Sequence, residues 1–147
     1  VIDFMVEMEK TIKLEYEVGK EEFSKAGIAS SNIKKVLNQI GIDAAIVRRV
    51  AIATYESEIN IVIHSEGGKI IAEISRDRIS IIARDKGKGI ENIEKAMTKG
   101  FSTASHEARE MGFGAGMGLP NMKRISDQFS IESSKESDTI VEMIFNI

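Results

Sequence analysis

The sequence predicts an α/β fold, a two-layer sandwich in which a mixed β-sheet is covered by helices. Three observations carry that expectation. Apolar and charged residues alternate over Thr11–Val18, as in a half-buried strand. A long, greasy stretch from Ala44 to about His64 has the length and spacing of a central helix. The segments run strand, helices, two strands, a glycine-rich stretch, helix, two strands, without the regular alternation of a doubly wound parallel sheet.

Each element has a local reason. In the first strand Ile12, Leu14, Tyr16 and Val18 share one side, with charges between them. Glu21–Gln39 carries Phe23, Ala26, Ile33, Val36, Leu37 and Ile40 at helical spacing, and Gly27 and the run Ser30-Ser31-Asn32 are the points where it breaks. Asp43 is an N-cap for the long helix, which is apolar on several sides and so expected to be buried on more than one. Gly67 and Gly68 turn the chain into two strands, Lys69–Arg76 and Arg78–Arg84, whose isoleucine density predicts two covered sheet faces. A short helix fits Ile93–Lys99, and Gly100–Gly118 reads as a long loop or partial helix. Pro120, the single proline, suits the first turn of a helix from Leu119. Strands at Gln128–Ser133 and Thr139–Asn146 follow.

At 147 residues the chain reads as one domain, 1–147, long enough to bury a core without staples. Twenty Lys and Arg against 23 Asp and Glu leave a net charge of −3, so no basic field favours nucleic acid. The absence of cysteine excludes a disulfide framework, thiolate chemistry and cysteine-bound zinc. Apolar runs of a few residues are far short of a membrane span, and the sequence opens without a leader pattern, so a cytoplasmic setting is expected. The seven methionines read as core and loop filler.

Three constellations carry chemistry. On the long helix Glu56 and Asn60 stand four residues apart, an advance of about 400° that puts both on one face. The carboxylate can orient or deprotonate a nucleophile, and the carboxamide oxygen suits a magnesium ion that keeps most of its waters. The solvated stripe of an amphipathic helix has the same pattern. His64 continues the line and reads as an ordinary helix residue, the only other histidine being His106. Asp85, Gly87 and Gly89 follow an apolar strand, where the carboxylate can accept from an exocyclic amine and the glycines let a flat ring lie on backbone; an ordinary strand-to-helix turn uses the same residues. Gly112, Gly114, Gly116 and Gly118 alternate into a helix and offer free N–H groups to an anion. Their spacing is neither the dinucleotide fingerprint nor a P-loop, and the interleaved Phe113, Met117 and Leu119 argue against a plain linker.

The order of these motifs, ending with a strand that begins at Thr139, resembles the Bergerat ATP-binding fold of the GHKL superfamily over about Asp43–Phe145. Within it the likeness is to the small bacterial anti-sigma-factor serine kinases and switch kinases, above all over Ile93–Gly118 and the following LPNMKRISDQFSIES. The resemblance implies that Asn60 ligates Mg²⁺ bridging the ATP phosphates and that Glu56 is the catalytic base. It implies that Asp85 receives the adenine amine, with Gly87 and Gly89 against the base, and that Thr139 closes the pocket by its hydroxyl. Gly112, Gly114, Gly116 and Gly118 would form a lid, mobile from about Thr98 and ordered by ATP more than by ADP. Departures from the family pattern are Lys88 where proline is common, Asp138 where glycine is common, and Gly114 where a basic residue often stands, which leaves Lys123 or Arg124 as phosphate partners.

The function this implies is an ATP-dependent serine protein kinase of a partner-switching system. Its partners would be a STAS-type antagonist, a regulator such as a sigma factor, and a second copy in a homodimer. An ATP-binding anti-sigma module with little kinase activity, and the catalytic domain of a histidine kinase, are the competing readings. Histidine-kinase domains usually lack a Glu at the place of Glu56, and no dimerisation helix pair with a phosphoacceptor histidine is present in this sequence.

Overall fold

The computed structural model describes residues 11–87, 89–90, 92–98 and 118–147. Five strands, β1 (Ile12–Val18), β2 (Gly68–Ile74), β3 (Arg78–Asp85), β4 (Gln128–Glu132) and β5 (Thr139–Asn146), form one sheet in the order β1-β2-β3-β5-β4. Helices α1 (Ile28–Gln39), α2 (Ala44–His64) and α4 (Gly118–Ile125) accompany it, with a short α3 (Ile93–Ala96) between β3 and α4. The α/β sandwich of the sequence reading is the fold observed. One detail differs: every pairing among the described residues is antiparallel, where a mixed sheet was expected. The chain after β3 returns through β4, which runs parallel to β3, but β5 lies between the two, so no parallel pair forms.

The core follows from the strand register. Leu14, Ala72, Ile81, Met143 and Phe129 stand side by side across the sheet, and Tyr16, Ile70, Ala83, Val141 and Ile131 form the next row. Ile74, Ile79 and Phe145 make a third, and the members from the three central strands are all buried. Side chains two residues apart share a face, so these rows form one apolar surface, on which α2 lies. The opposite face carries Glu15, Ile71, Ile82, Glu142 and Ser130 in register. There Ile71, Ile82, Ile140 and Ile144 are half-buried rather than covered, which corrects the expectation of two covered faces.

Local chemistry sets the helix boundaries. Asp43 caps α2 by accepting from the Ala45 N–H at 3.2 Å, as the sequence predicts. Gly27 takes a left-handed φ of 102° and separates a short 3₁₀ turn, Phe23–Lys25, from α1, so the Glu21–Gln39 stretch does break in two. The α1 N-terminus has no cap from its own sequence. Its free N–H groups turn instead to Glu58, a buried carboxylate on α2 that accepts from Gly27 at 2.9 Å, Ala29 at 3.2 Å and Ser30 at 2.8 Å. An anion at this position meets both the unsatisfied donors and the positive end of the helix.

Arg49 fastens α4. Its Nε donates to the Ile125 carbonyl at 2.8 Å, and its Nη2 donates to Asp127 at 3.0 Å, while the guanidinium lies over the Phe145 ring. The second oxygen of Asp127 accepts from the Asn146 N–H at 2.7 Å, and that bond, before the ion pair, holds the Asp127 carboxyl below its ordinary value. Midway along α4 the Ser57 hydroxyl meets the Met122 sulfur at 3.3 Å.

Replacing Glu58 by Ala leaves three N–H groups, those of Gly27, Ala29 and Ser30 at the start of α1, without their acceptor. The expected loss of unfolding free energy is about 3 kcal/mol, since a buried unsatisfied group costs about 1–3 kcal/mol. The measurement is urea unfolding, with a lower midpoint at unchanged slope, together with faster hydrogen exchange at Ala29 and Ser30. An unchanged midpoint would show that water replaces the carboxylate at no cost.

Candidate functional site

One step beyond the apolar rows the sheet continues with Gly68, Asp85 and Thr139, paired in the same register. Their places in the strands put them on the core side, so the apolar surface ends in a polar row under α2. The effect on Asp85 is direct. Burial pushes its carboxyl up to about 6; the Thr139 backbone N–H pulls the other way, and the Asp138 carboxylate adds a smaller upward push. Gly68 has no side chain for a steric reason: a Cβ there would run into the Arg84 carbonyl and the Asp85 Cα.

The chain leaving Asp85 is held from both sides. Lys86 pairs with Glu66 and Gly67 by backbone hydrogen bonds of 2.7 and 2.9 Å, and a Cβ on Gly87 would touch Ser65, just past the end of α2. Gly89 has φ 69° and lies beneath the β4–β5 hairpin, where a Cβ would collide with the carbonyls of Ser134 and Ser137. No other residue fits there. Next to it the Ile90 N–H donates to the Ser133 hydroxyl at 2.8 Å, and Ser133 and Thr139 share a hydroxyl–hydroxyl bond of 2.6 Å.

The second cluster lies on α2. Glu56 and Asn60 face the same way and are half-buried, and the start of α4 meets them there. A Cβ on Gly118 would stand 3.0 Å from Asn60 Oδ1 and 3.3 Å from Glu56 Oε2, so the backbone passes close over both. Burial raises the Glu56 carboxyl above its ordinary value. Helix α2 connects the two clusters: from Asn60 to Ser65, beside Gly87, is about 7.5 Å of helical rise.

Of the residues singled out in the sequence, Asp85, Gly87, Gly89 and Thr139 thus gather at the sheet end, and Glu56, Asn60 and Gly118 gather where α2 meets α4. Gly112, Gly114 and Gly116, with the rest of the expected lid over 99–117, lie outside the described residues. Lys123 and Arg124 sit exposed in the last turn of α4, at the far end from Gly118, where cations favour the helix terminus. Sequence reasoning missed Gly68, Glu58 and Ser133. The doubled glycine at the start of β2 was visible, but the reason for Gly68 is the Arg84–Asp85 backbone across the ladder.

Among the described residues no three His, Cys, Asp or Glu side chains gather to hold an ion. A cation beside Asn60 would draw its other ligands from phosphate and water. No described helix is long and apolar enough to cross a membrane.

Comparison with known proteins gives a consistent result. The serine/threonine-protein kinase RsbT of Bacillus subtilis (strain 168) is 34% identical over 115 residues, covering 76% of this chain and 80% of that protein. The anti-sigma F factor of Thermoanaerobacter sp. (strain X514) is 40% identical over 96 residues, 62% of this chain and 64% of that protein. A crystal structure of the SiaB–SiaC complex from Pseudomonas aeruginosa shares the fold, with a TM-score of 0.59 at 11% identity over 98% of each chain. The family model described as a histidine kinase-like ATPase domain matches residues 22–145, a span that takes in both clusters. This chain belongs to the histidine kinase-like (GHKL, Bergerat-fold) ATPase family and is homologous to the RsbT and anti-sigma F proteins.

Proposed function

We propose that this chain is an ATP-dependent protein-serine kinase that phosphorylates a small STAS-type antagonist and so controls a regulator such as a sigma factor. The observation that carries the reading is the half-buried Glu56 carboxylate beside Asn60, both under the backbone of Gly118. Family membership supports ATP as the nucleotide, and the kinase named RsbT among the relatives supports serine or threonine as the acceptor.

In this reading Asp85 accepts a hydrogen bond from the adenine amino group, and the glycines at 87 and 89 keep the strand end flat enough for the ring. Asn60 would hold Mg²⁺ together with phosphate oxygens, and the ion would supply neutralisation of the charge that develops on them. Glu56 takes the proton of the seryl hydroxyl as its oxygen bonds to the γ-phosphorus and the bond to the β-phosphate oxygen breaks, releasing ADP. Its burial helps, because a carboxylate of raised proton affinity is a better base than an exposed one.

The two roles on α2 separate experimentally. Glu56→Ala leaves ATP affinity near that of wild type and lowers phosphoryl transfer by about 100-fold or more. Asn60→Ala also weakens magnesium-dependent binding. Transfer of labelled γ-phosphate to candidate antagonists encoded beside this gene, followed by mapping of the modified serine, is the measurement. A wild-type transfer rate in Glu56→Ala on a genuine substrate removes the base from the mechanism.

Asp85 gives a prediction in pH. An ionised carboxylate accepts from the amine more strongly than a protonated one, and in the free protein Asp85 gains a proton below about 6. ATP binding then favours the ionised form, so affinity falls as pH drops from 7 to 5, by up to about tenfold per unit below the pKa. Calorimetry should show ATP preferred over GTP, whose carbonyl oxygen would face the carboxylate, and Asp85→Asn should bind at least about tenfold more weakly with a flat profile. Equal affinities for ATP and GTP would contradict the adenine contact.

A further inference from the structure

Three groups at the sheet end leave one proton unaccounted for. The Ser133 hydroxyl accepts from the Ile90 N–H at 2.8 Å and is bonded to the Thr139 hydroxyl at 2.6 Å. Two hydroxyls sharing one bond have one hydrogen to spare, and its location decides what the pocket can read. If Thr139 donated to Ser133, the serine oxygen would face two protons, and its own would point away from both partners. The alternative runs in one direction, from the Ile90 N–H to Ser133 to Thr139. Chains of this polarity strengthen each link, and the bond of 2.6 Å is at the short end for neutral hydroxyls. In this direction the spare proton is on Thr139.

Thr139 is paired with Asp85 across β3 and β5, and its backbone N–H is the group that opposes the rise of the Asp85 carboxyl. The Thr139 residue is buried, and among the described residues no further side-chain partner holds its hydroxyl. The end of the sheet therefore shows an acceptor, Asp85, next to a donor, Thr139. A 6-aminopurine edge presents the complement, an amino donor beside a ring-nitrogen acceptor. Guanine and hypoxanthine present the reverse, a carbonyl oxygen beside a ring N–H.

We propose that Ser133 is a specificity-determining positioning residue, which fixes the Thr139 hydroxyl as a donor to the ring nitrogen beside the amino group of the base. The inference rests on the nucleotide reading above and extends it to a residue that acts through Thr139. Ser133 also holds Ile90, so the same hydroxyl ties the Gly89 turn to the β4–β5 hairpin.

The test is a set of affinities for three nucleotides, measured by calorimetry at pH 7.5: ATP, 1-deaza-ATP, which lacks the ring acceptor, and purine riboside triphosphate, which lacks the amino group. Wild type should prefer ATP to 1-deaza-ATP by about tenfold, the value of one good hydrogen bond. In Ser133→Ala that ratio should fall towards one, while the ratio of ATP to purine riboside triphosphate, which reads Asp85, stays as in wild type. Thr139→Val should lose the 1-deaza ratio too, and the double variant should lose no more than either single one. Ser133→Thr, which keeps the hydroxyl, should restore the ratio. A Ser133→Ala protein that keeps the full 1-deaza ratio, or that loses both ratios together, overturns the proposal while leaving the nucleotide site standing. A wild type that binds none of the three overturns the nucleotide reading and this inference with it.

Discussion

The register of β2, β3 and β5 governs the rest of the molecule. Three rows of apolar side chains face α2 across these strands, and a slip of one residue would turn every one of them to the outward face. With register so fixed, the next row has no freedom. Gly68, Asp85 and Thr139 must lie side by side at the margin of the core, and a carboxylate there is half removed from water by construction. The raised proton affinity of Asp85 is thus the direct result of hydrophobic packing one step away.

Helix α2 serves two masters with one stretch of sequence. Glu56 and Asn60 share the face that meets Gly118, whereas Glu58, rotated about 200° from Glu56, points into α1 and holds its N-terminus. A helix with a single polar stripe could do only one of these things. The extra carboxylate is bearable because each of its oxygens is met by backbone N–H groups, and no buried side-chain polar atom among the described residues lacks a partner.

How much of this was legible depended on whether the cause was local. The Asp43 cap, the limits of α2 and the span of β5 came straight from capping residues and periodicity, because each is settled within a turn or two of chain. The break at Gly27 was visible for the same reason. The antiparallel pairing was not, since it depends on which strand β5 joins after the chain returns. Within the site, Glu56, Asn60 and Asp85 could be read from spacing, yet Ser133 carries no signal of its own. Its importance is created by Ile90, 43 residues earlier, and by the strand that follows. Glu58 stands two residues from Glu56 in the sequence, and only the packing of α1 marks it as the carboxylate that holds a helix end.

The contact between Gly89 and the carbonyls of Ser134 and Ser137 has an evolutionary consequence. Surface hairpins are ordinarily where a family accepts insertions and drift most freely. The β4–β5 connection lacks that freedom, because its backbone forms the roof over a glycine of the strand end that carries Asp85. Homologues that lengthen or re-angle this hairpin must change the Gly89 turn in the same step. The two segments should therefore drift as one unit across the family, and diversity should be displaced to turns without such a contact, such as Ser75–Arg78 between β2 and β3.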